Sequence, residues 1–409
     1  MRAAAVGHNI HGYKLAAFVI AAAYAGLAGG LLGVLQGFMP PDAFMFETSG
    51  QLIMQTAIGG RGTLFGPMVG AAVWLFLEDF LQASLGLGAA WKLVLGLVFV
   101  LLVSFLRQGI IGGLRDLARR MRPGTGNANA PAEPARAPHA PIPLHARRRA
   151  HDVTSGPILQ ATGLTKRYGG VVANSGIDFS VERGEIRGII GPNGAGKTTF
   201  FRMLTCEVPP TSGRILFEGR DITGLGVTDV CQLGLTKSYQ VNQLFNRLTV
   251  RENVTIAALA YLRGKFRLDL FRSQLSVPGL HEQVEHTLDL VGLQARSDVA
   301  VSQLAYGEKR RLEIGLALAS SPSLLLLDEP LAGMSPGERV ETVRLLKSIA
   351  AGRTMIVIDH DMDAIFELAG RISVLQEGRV LVEGTPEQIR SDARVQEAYL
   401  GGLEDEIAA

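Results

Sequence analysis

The residues best suited to chemistry lie in a glycine-rich stretch near the middle of the chain. The segment "GIIGPNGAGKTTFFRML" places Gly191 and Gly196 around a short loop, with Lys197 and Thr198 directly after it. An apolar run precedes the loop and a helical pattern follows it, which is the strand–loop–helix context of a phosphate-binding P-loop. The predicted phosphate-binding residues are Gly191, Asn193, Gly194, Ala195, Gly196, Lys197, Thr198 and Thr199.

Each part of this loop has a physical role. Glycines let backbone N–H groups close around phosphates, and the helix N-terminus adds positive potential. The Lys197 ammonium would reach the β- and γ-phosphates, and the Thr198 hydroxyl would coordinate Mg²⁺. The sequence therefore predicts a site for ATP and Mg²⁺.

A pair of carboxylates follows a second apolar strand, "SLLLLDEP". Asp328 is placed to hold Mg²⁺ through water, and Glu329 to polarise the attacking water. The alternative is that both acids are exposed and merely end the strand. Four consecutive leucines favour a strand buried on both faces, so we predict that Asp328 is a metal ligand and Glu329 a catalytic base.

A further motif gives the chain a family resemblance. The segment "LAYGEKRRLEIGLALA" at 304–319 resembles the signature motif of the ATP-binding subunits of ABC transporters, which precedes the Asp-Glu strand by about twenty residues. The resemblance implies that two ATPase subunits enclose two ATP molecules. It also implies that the signature of one subunit contacts the γ-phosphate held by the other, through Leu304, Ala305, Tyr306 and Gly307.

Three single residues take roles from the same resemblance. Gln240 in "SYQVNQLF" matches the loop that senses Mg²⁺ and nucleotide and touches the membrane subunit. His360 in "VIDHDMD" matches the histidine that contacts the γ-phosphate, and we expect it to act in catalysis with Glu329 and Lys197. Tyr168 in "LTKRYGG" matches the aromatic that stacks on adenine. Without the resemblance, His360 would be incidental and Tyr168 a surface or core residue.

Two positions depart from the family pattern. Ala305 replaces a frequent Ser in the signature, which removes one hydroxyl contact to the γ-phosphate. The loop after Glu329 reads "LAGMSPGE" and lacks the usual Asp, and in this it resembles the branched-chain amino acid importers. Both departures are compatible with slower ATP hydrolysis, and neither implies a loss of ATP binding.

The first third of the chain has the composition of membrane segments. Leu15–Phe38 carries no charge and exceeds the roughly 20 residues that span a bilayer core; it is too long for a secretory signal. Ala89–Leu106 is a second strong segment, with Trp91 and Lys92 at one end and Arg107 at the other. Gly50–Gly60 and Pro67–Leu85 are weaker candidates, which gives four predicted segments. Within the first, Gly29, Gly33 and Gly37 share a face where a neighbouring helix could pack, or reflect general glycine enrichment.

Orientation and the missing part of the domain follow from the same region. Arg107, Arg115, Arg119, Arg120 and Arg122 place the end of this region in the cytoplasm, and an even number of segments then places residues 1–14 there too. The first fifteen residues and "AIGGRGTLFGPMVGAAV" resemble the C-terminal part of the permease of branched-chain amino acid importers, near the loop that docks on the ATPase. Because such permeases have more segments before this point, we expect either a start codon placed too far downstream or a truncated fusion.

The remaining composition separates the two halves. The segment "APAEPARAPHAPIPLHARRRAHD" has five prolines and no apolar periodicity, so it is predicted to be a flexible tether. The chain has 409 residues and a formal net charge of +2, which points to no particular partner. Its arginine clusters could bind nucleic acid, but the adjacent apolar segments favour membrane topology, so no nucleic-acid partner is expected. The two cysteines form no disulfide framework, as expected in a reducing compartment. The tail "GRVLVEGTPEQIRSDARVQEAYLG" again resembles the branched-chain importer ATPases.

Together these patterns predict a multidomain chain, with an all-α transmembrane segment followed by an α/β P-loop ATPase that has a helical subdomain. The predicted boundaries are 1–106 for a partial permease, 107–156 for the linker and 157–409 for the ATPase, with the helical subdomain near 248–318. The expected location is the cell inner membrane, multi-pass, with the ATPase in the cytoplasm. The expected partners are a second ATPase subunit, a second permease subunit, a periplasmic solute-binding protein and membrane lipid.

The solute and two rival functions stay open at this point. Urea, short amides and branched-chain amino acids are all compatible with the sequence. One rival is a soluble regulatory ATPase of the same superfamily, acting in translation or DNA repair. Proteins of that kind lack membrane segments, so the apolar segments of this chain argue against this rival. Another is a remnant whose ATPase works with other permeases.

Overall fold

A computed structural model gives the structure of the chain, which divides into two compact units. The described residues are 2–60, 63, 65–81, 91–105, 109–113, 156–238, 244–267, 277–350 and 352–399. One unit combines Met1–Ala17 with Arg148–Ala409, and the other is Phe18–Arg147.

The helices and strands are numbered in chain order. The helices are α1 (Arg2–Ala5), α2 (Ile10–Gln36), α3 (Phe46–Gly59), α4 (Gly66–Asp79), α5 (Trp91–Phe105), α6 (Lys197–Leu204), α7 (Val227–Leu233), α8 (Val250–Arg263), α9 (Leu280–Leu290), α10 (Tyr306–Leu318), α11 (Pro336–Ala350), α12 (Met362–Leu368) and α13 (Pro386–Ser391). The strands are β1 (Leu159–Tyr168), β2 (Val171–Val181), β3 (Ile186–Ile190), β4 (Ser212–Phe217), β5 (Arg220–Asp221), β6 (Leu235–Lys237), β7 (Leu324–Asp328), β8 (Thr354–Ile358), β9 (Arg371–Gln376) and β10 (Arg379–Gly384).

The first unit is built on a six-stranded sheet with the order β10-β9-β3-β8-β7-β6. Strands β9, β3, β8, β7 and β6 are parallel, and β10 pairs antiparallel to β9 at one edge. Because β3, β8 and β7 are neighbours, the segments that follow their carboxyl ends meet at one edge of the sheet. Ligands bind at this edge in open α/β sheets.

The apolar runs of the central strands explain why they are buried on both faces. In β7, Leu324 and Leu326 belong to one apolar cluster, and Leu325 and Leu327 belong to another. The side chains of a strand alternate between faces, so each cluster covers one side of the sheet. A fully buried parallel sheet with layers on both sides is the α/β architecture that the sequence predicts.

A second, antiparallel sheet of order β2-β1-β4-β5 packs near the phosphate-binding helix. Phe179 of β2 meets Phe200 of α6 edge to face, with 5.2 Å between the ring centroids. This contact helps to fix the helix that begins directly after the P-loop.

Helices α8, α9 and α10 pack against one another and bury apolar faces. Helix α8 begins with a reciprocal cap, in which the Thr249 hydroxyl accepts from the Glu252 N–H while the Glu252 carboxylate accepts from the Thr249 N–H. Such a capping box ends the preceding loop and starts the helix at a defined residue.

The second unit contains helices that meet through glycines. A Cβ atom at Gly59 of α3 would collide with the carbonyl of Gly66, and one at Gly70 of α4 would collide with the carbonyl of Gln55. Close approach of two helices through small residues is typical of membrane helices. Ile58, Trp74, Leu81 and Leu95 form the small core beside this contact.

The predicted membrane segments overlap with α2, α3, α4 and α5, and the parts of them at 82–85, 89–90 and 106 lie outside the described residues. Within the described ranges, α2 is the one helix long and apolar enough to cross a membrane, with 27 residues. The glycine face predicted on α2 is partly occupied by the chain itself, because Met39 lies against Gly29 and Gly33, while Gly37 faces open space.

Candidate active site

The P-loop connects β3 to α6 and positions the predicted phosphate-binding residues. Gly196 has a φ of 88°, and a Cβ atom there would collide with the carbonyl of Ala173 in β2. Only glycine fits both the left-handed conformation and this close approach. Ala195 is buried beneath the loop, whereas Asn193, Gly194 and Thr198 are exposed and Thr199 is half-buried.

The Lys197 side chain lies at the loop rather than in solvent. Its ammonium donates to the carbonyls of Gly191 at 2.7 Å and Pro192 at 2.8 Å. Burial lowers the pKa of Lys197, and the nearby Glu329 carboxylate opposes this shift. The structure therefore brings Lys197 and Glu329 into one electrostatic environment, at the ends of β3 and β7.

Asp328 ends β7 as a buried carboxylate with a cation beside it. Its Oδ2 lies 3.4 Å from the Nζ of Lys237, and the same Nζ lies 3.3 Å from Oε1 of Glu207. Only 5% of Asp328 is exposed. The buried Lys237 cation balances the charge of both carboxylates, since buried charges are stable in proteins when they are paired.

Glu329 occupies an unusual backbone conformation next to Asp328. Its φ is 47°, in the left-handed region that residues with a side chain rarely adopt. Its N–H donates to the carbonyl of Ile358 at 2.7 Å, and its Oε1 lies 2.9 Å from Nε2 of His360. Strain at such a position is typical of active sites, where the surroundings hold one side chain in a fixed direction.

The loop after β8 completes this group. Asp359 accepts from the N–H groups of Leu331 and Asp361, each at 3.0 Å, so it joins the loops that follow β7 and β8. Burial raises the pKa of Asp359, while hydrogen bonds from backbone N–H groups act in the opposite direction. A cleft of about 510 Å³ opens beside these residues and is lined in part by Ala332, Gly333 and His360.

The predicted signature residues begin α10. Leu304 and Gly307 are buried, whereas Tyr306 is exposed. Ala305 is the N-cap residue, and its N–H donates to the Glu308 carboxylate at 2.9 Å. The Tyr306 hydroxyl donates to the carbonyl of Ala332 at 3.0 Å, which ties the signature to the loop after Glu329.

One predicted site residue, Tyr168, stands apart from this group. Tyr168 ends β1 with 48% of its surface exposed, and the Lys166 ammonium lies 5.1 Å from its ring centroid. A ring held this way leaves a surface available for stacking. Gln240 lies outside the described residues.

The sequence did not identify three residues that the structure adds to the site: Lys237, Arg310 and Asp359. Lys237 ends β6 and Arg310 lies in the first turns of α10, and both reach the end of β7. Asp359 directly precedes His360, which is a local signal that could have been noticed. The other two become neighbours of the site only through strand order and helix packing.

The first residues of the chain also pack within the ATPase unit. Helix α1 contacts α7. The Gln232 side chain donates to the carbonyl of Gly7 at 3.1 Å, and His8 Nε2 lies 2.8 Å from the carbonyl of Ile256. Gly7 is buried here.

A second group of contacts follows at the start of α2. The Asn9 N–H donates to the carbonyl of Lys265 at 2.6 Å. The rings of Tyr13 and Phe266 meet edge to face, with 4.9 Å between centroids. Residues 7–13 therefore form a docking segment on a surface made by α7, α8 and the turn after α8.

The fold and the site together define a P-loop ATPase of the ATP-binding cassette type. The family model for ABC transporters matches residues 174–332. The model for the branched-chain amino acid transport system permease component matches residues 1–103, and that for the branched-chain amino acid ATP-binding cassette transporter matches residues 379–405.

Individual proteins agree with these models. The chain is 37% identical over 252 residues to the high-affinity branched-chain amino acid transport ATP-binding protein BraF of Pseudomonas aeruginosa, which covers 60% of this chain and 99% of BraF. It is 36% identical over 256 residues to LivG of Escherichia coli K12, described in the same words, again with 60% and 99% covered. A lipopolysaccharide export ATP-binding protein, LptB of Acidithiobacillus ferridurans, is 36% identical over 245 residues, covering 60% of this chain and 97% of LptB.

Solved structures give the same fold. The crystal structure of a nucleotide-free ATP-binding cassette from an ABC transporter is similar with a TM-score of 0.52 and 28% identity, covering 59% of this chain and 98% of that one. The ADP conformation of the cassette MJ1267 gives a TM-score of 0.53 and 28% identity, covering 60% of this chain and 100% of that one.

The chain belongs to the ABC transporter family, in its branched-chain amino acid transport branch. It is a transport ATPase that binds ATP, with a permease segment fused to the ATP-binding domain. The predicted family, fold class and type of enzyme are confirmed, and the permease match argues against the soluble regulatory ATPase.

Proposed function

We propose that this chain hydrolyses ATP to drive the import of branched-chain or related amino acids. The support comes from both ends of the chain, because the permease model at residues 1–103 and the tail model at residues 379–405 belong to the same kind of transport system. The names of BraF and LivG are consistent with this substrate class.

The observation that carries the chemical proposal is the pair formed by Glu329 and His360, with 2.9 Å between Oε1 and Nε2. Glu329 takes a proton from water as the water oxygen bonds to the γ-phosphorus and the bond to the β-phosphate oxygen breaks, which yields ADP and phosphate. His360 orients the Glu329 carboxylate. Lys197 and the loop N–H groups stabilise negative charge on the phosphates.

The residues present also fit a Mg²⁺ site. Oxygen donors are the ligands that Mg²⁺ prefers. Asp328 supplies a carboxylate at the end of β7 and Thr198 a hydroxyl in the first turn of α6, with Gln240 as the third proposed ligand. When bound, Mg²⁺ neutralises charge on the phosphates. The Lys237 ammonium lies 3.4 Å from Oδ2 of Asp328 and would help to direct this carboxylate.

The remaining proposals concern architecture. We propose a multi-pass protein of the inner membrane with its ATPase in the cytoplasm, and the boundaries 1–106, 107–156 and 157–409, with a helical subdomain near 248–318. The exposed apolar surface of α2 supports contact with lipid. The proposed partners are a second ATPase subunit, a second permease subunit and a periplasmic solute-binding protein.

Glu329→Gln tests the chemical proposal. It keeps the shape of the side chain but removes the base, so nucleotide binding should persist while phosphate release falls by about 100-fold or more. Binding of a fluorescent ATP analogue and release of phosphate should be measured on the purified full chain. Glu341→Gln, an exposed carboxylate on α11, is the control and should keep the wild-type rate.

The same two variants test the solute in cells that carry the partner subunits. Uptake of labelled leucine, isoleucine or valine should stop with Glu329→Gln and continue with Glu341→Gln. If Glu329→Gln hydrolyses ATP at a near-normal rate, the base is assigned wrongly. If labelled urea is transported and the amino acids are not, the substrate class is wrong and the catalytic assignment stands.

A further inference from the structure

The backbone at Glu329 needs an external restraint. Glu329 is a non-glycine residue at φ 47°, a conformation that is less stable than ordinary backbone because its Cβ crowds the following carbonyl oxygen. This conformation directs the Glu329 carboxylate towards His360. A local relaxation of the turn would therefore move the proposed catalytic base without disturbing β7 itself.

The buried guanidinium of Arg310 binds the turn that contains Glu329. Arg310 Nη2 donates to the carbonyl of Asp328 at 2.8 Å and to that of Glu329 at 2.6 Å, and its Nε donates to the carbonyl of Pro330 at 3.2 Å. Three consecutive main-chain carbonyls are thus bound by one side chain. Only arginine carries donors in a fixed planar fork that can do this.

The charge of Arg310 is balanced on its own helix. Its Nη1 donates to Oε2 of Glu313 at 2.7 Å, and the two side chains are 5% and 6% exposed. A buried pair of this kind is weak support for stability, because both charges lose their hydration. Its placement on three carbonyls around a strained residue therefore favours a role in geometry.

We propose that Arg310 is a positioning residue for ATP hydrolysis, holding Glu329 in the left-handed conformation from which its carboxylate meets His360. The inference rests on the proposed role of Glu329. Because Arg310 lies one turn after Tyr306 in α10, any displacement of the start of α10 is transmitted directly to the Glu329 backbone. Arg310 thus links the signature segment to the base within one chain.

Three variants of the full chain test this role. Arg310→Met removes the fork, and kcat should fall on the order of 100-fold, as expected when a reacting group is misplaced by about 1 Å. The KM for ATP should not change, because the P-loop is untouched. Arg310→Lys keeps the charge but not the fork, and its kcat should be intermediate.

The third variant separates positioning from stability. Arg310→Met leaves the Glu313 carboxylate without this partner, which lowers the melting temperature for a reason unrelated to catalysis. The double variant Arg310→Met with Glu313→Gln removes both charges, so the melting temperature should rise again while kcat stays low. Arg344→Met, an exposed arginine on α11, is the control and should match the wild type.

These variants separate the role of Arg310 from the proposed role of Glu329. If the double variant regains the wild-type kcat, or if KM rises while kcat holds, Arg310 does not position Glu329. If Glu329→Gln itself remains active, the role of Glu329 is wrong and the Arg310 result has another cause. An inactive Glu329→Gln together with a fully active Arg310→Met overturns only the inference.

Discussion

Ala305 stands at the signature position where the family resemblance leads us to expect a Ser. It caps α10 in extended backbone, with φ −63° and ψ 161°, but has no side-chain oxygen for the N–H groups of the first turn. Glu308 supplies one of the two hydrogen bonds of a capping box, since its carboxylate accepts from the Ala305 N–H. The backbone is therefore already arranged for a Ser at this position.

Ala305→Ser should complete this cap. The new hydroxyl can accept from the N–H of Glu308, which is expected to stabilise the helix start by about 1 kcal/mol. It also restores the hydroxyl that the resemblance assigns to the γ-phosphate. We expect a higher melting temperature and a lower KM for ATP, measured by thermal denaturation and phosphate release.

Ala305→Thr and Ala305→Val form the matched comparison for this cap. They have the same shape, but only the threonine carries a hydroxyl. The gain should appear with threonine and be absent with valine. Equal effects of both variants would show that the added volume, and not the hydrogen bond, is responsible.

The site residues that could be predicted are those whose type is dictated locally. The loop around Gly196 requires glycine for backbone reasons, and Asp328 and Glu329 follow a run of leucines that marks a buried strand. Lys237 and Arg310 could not be predicted, because their contacts with the end of β7 depend on which strands are neighbours and how α10 packs. Neither relation is recorded in the local pattern.

At the scale of elements, the apolar patterns predict that a helix or strand exists better than they predict how these elements are arranged. The strand Leu324–Asp328 and the four apolar segments of the first third were expected, and helices α2 to α5 fall on those segments. The close contact of α3 with α4 depends on Gly59 and Gly70 facing each other. A sequence shows the glycines but not their pairing.

The docking segment at residues 7–13 offers a test at this scale. Gly7 has a φ of 92°, and a Cβ atom there would lie 2.8 Å from Nε2 of Gln232 and 3.3 Å from Sγ of Cys231. Gly7→Ala should therefore displace the segment from α7 while leaving the P-loop intact. We expect ATP binding to persist and substrate-stimulated hydrolysis to be lost, measured in the reconstituted transporter.

The control for Gly7→Ala must carry the same backbone strain. Gly279, before α9, has a φ of 77° and open space around the position of a Cβ atom. Gly279→Ala should lower the melting temperature by a similar amount without affecting the coupling of substrate to hydrolysis. Loss of stimulation in both variants would mean that strain, not docking, explains the effect.

The whole molecule combines two kinds of surface in one chain. Apolar side chains of α2 are exposed along its length, whereas the ATPase buries its apolar residues in two large clusters. The linker predicted at 107–156 is outside the described residues apart from residues 109–113 and 156, as are Arg107, Arg115, Arg119, Arg120 and Arg122. The orientation of α2 therefore stands as a prediction from charge alone.

Cysteine labelling can test that orientation because the native thiols are poor targets. Burial raises the pKa of Cys206 to about 12 and that of Cys231 to about 11, so both remain protonated at pH 7 and react slowly. Raised pKa values also mean that these thiols stabilise the fold below about pH 9, and that this contribution is lost as the pH rises towards the folded values.

Because the native thiols label slowly, Phe38→Cys and Lys14→Cys can report opposite ends of the proposed span. Both positions are exposed in the structure. If residues 1–14 are cytoplasmic, a membrane-impermeant maleimide should label Phe38→Cys in spheroplasts and should label Lys14→Cys only after the membrane is permeabilised. Lys14 lies near the start of α2 and Phe38 lies two residues beyond its end, and labelling of both variants after permeabilisation is the control for thiol reactivity. Labelling of Lys14→Cys in intact spheroplasts would reverse the orientation, and equal labelling of both would remove α2 from the membrane.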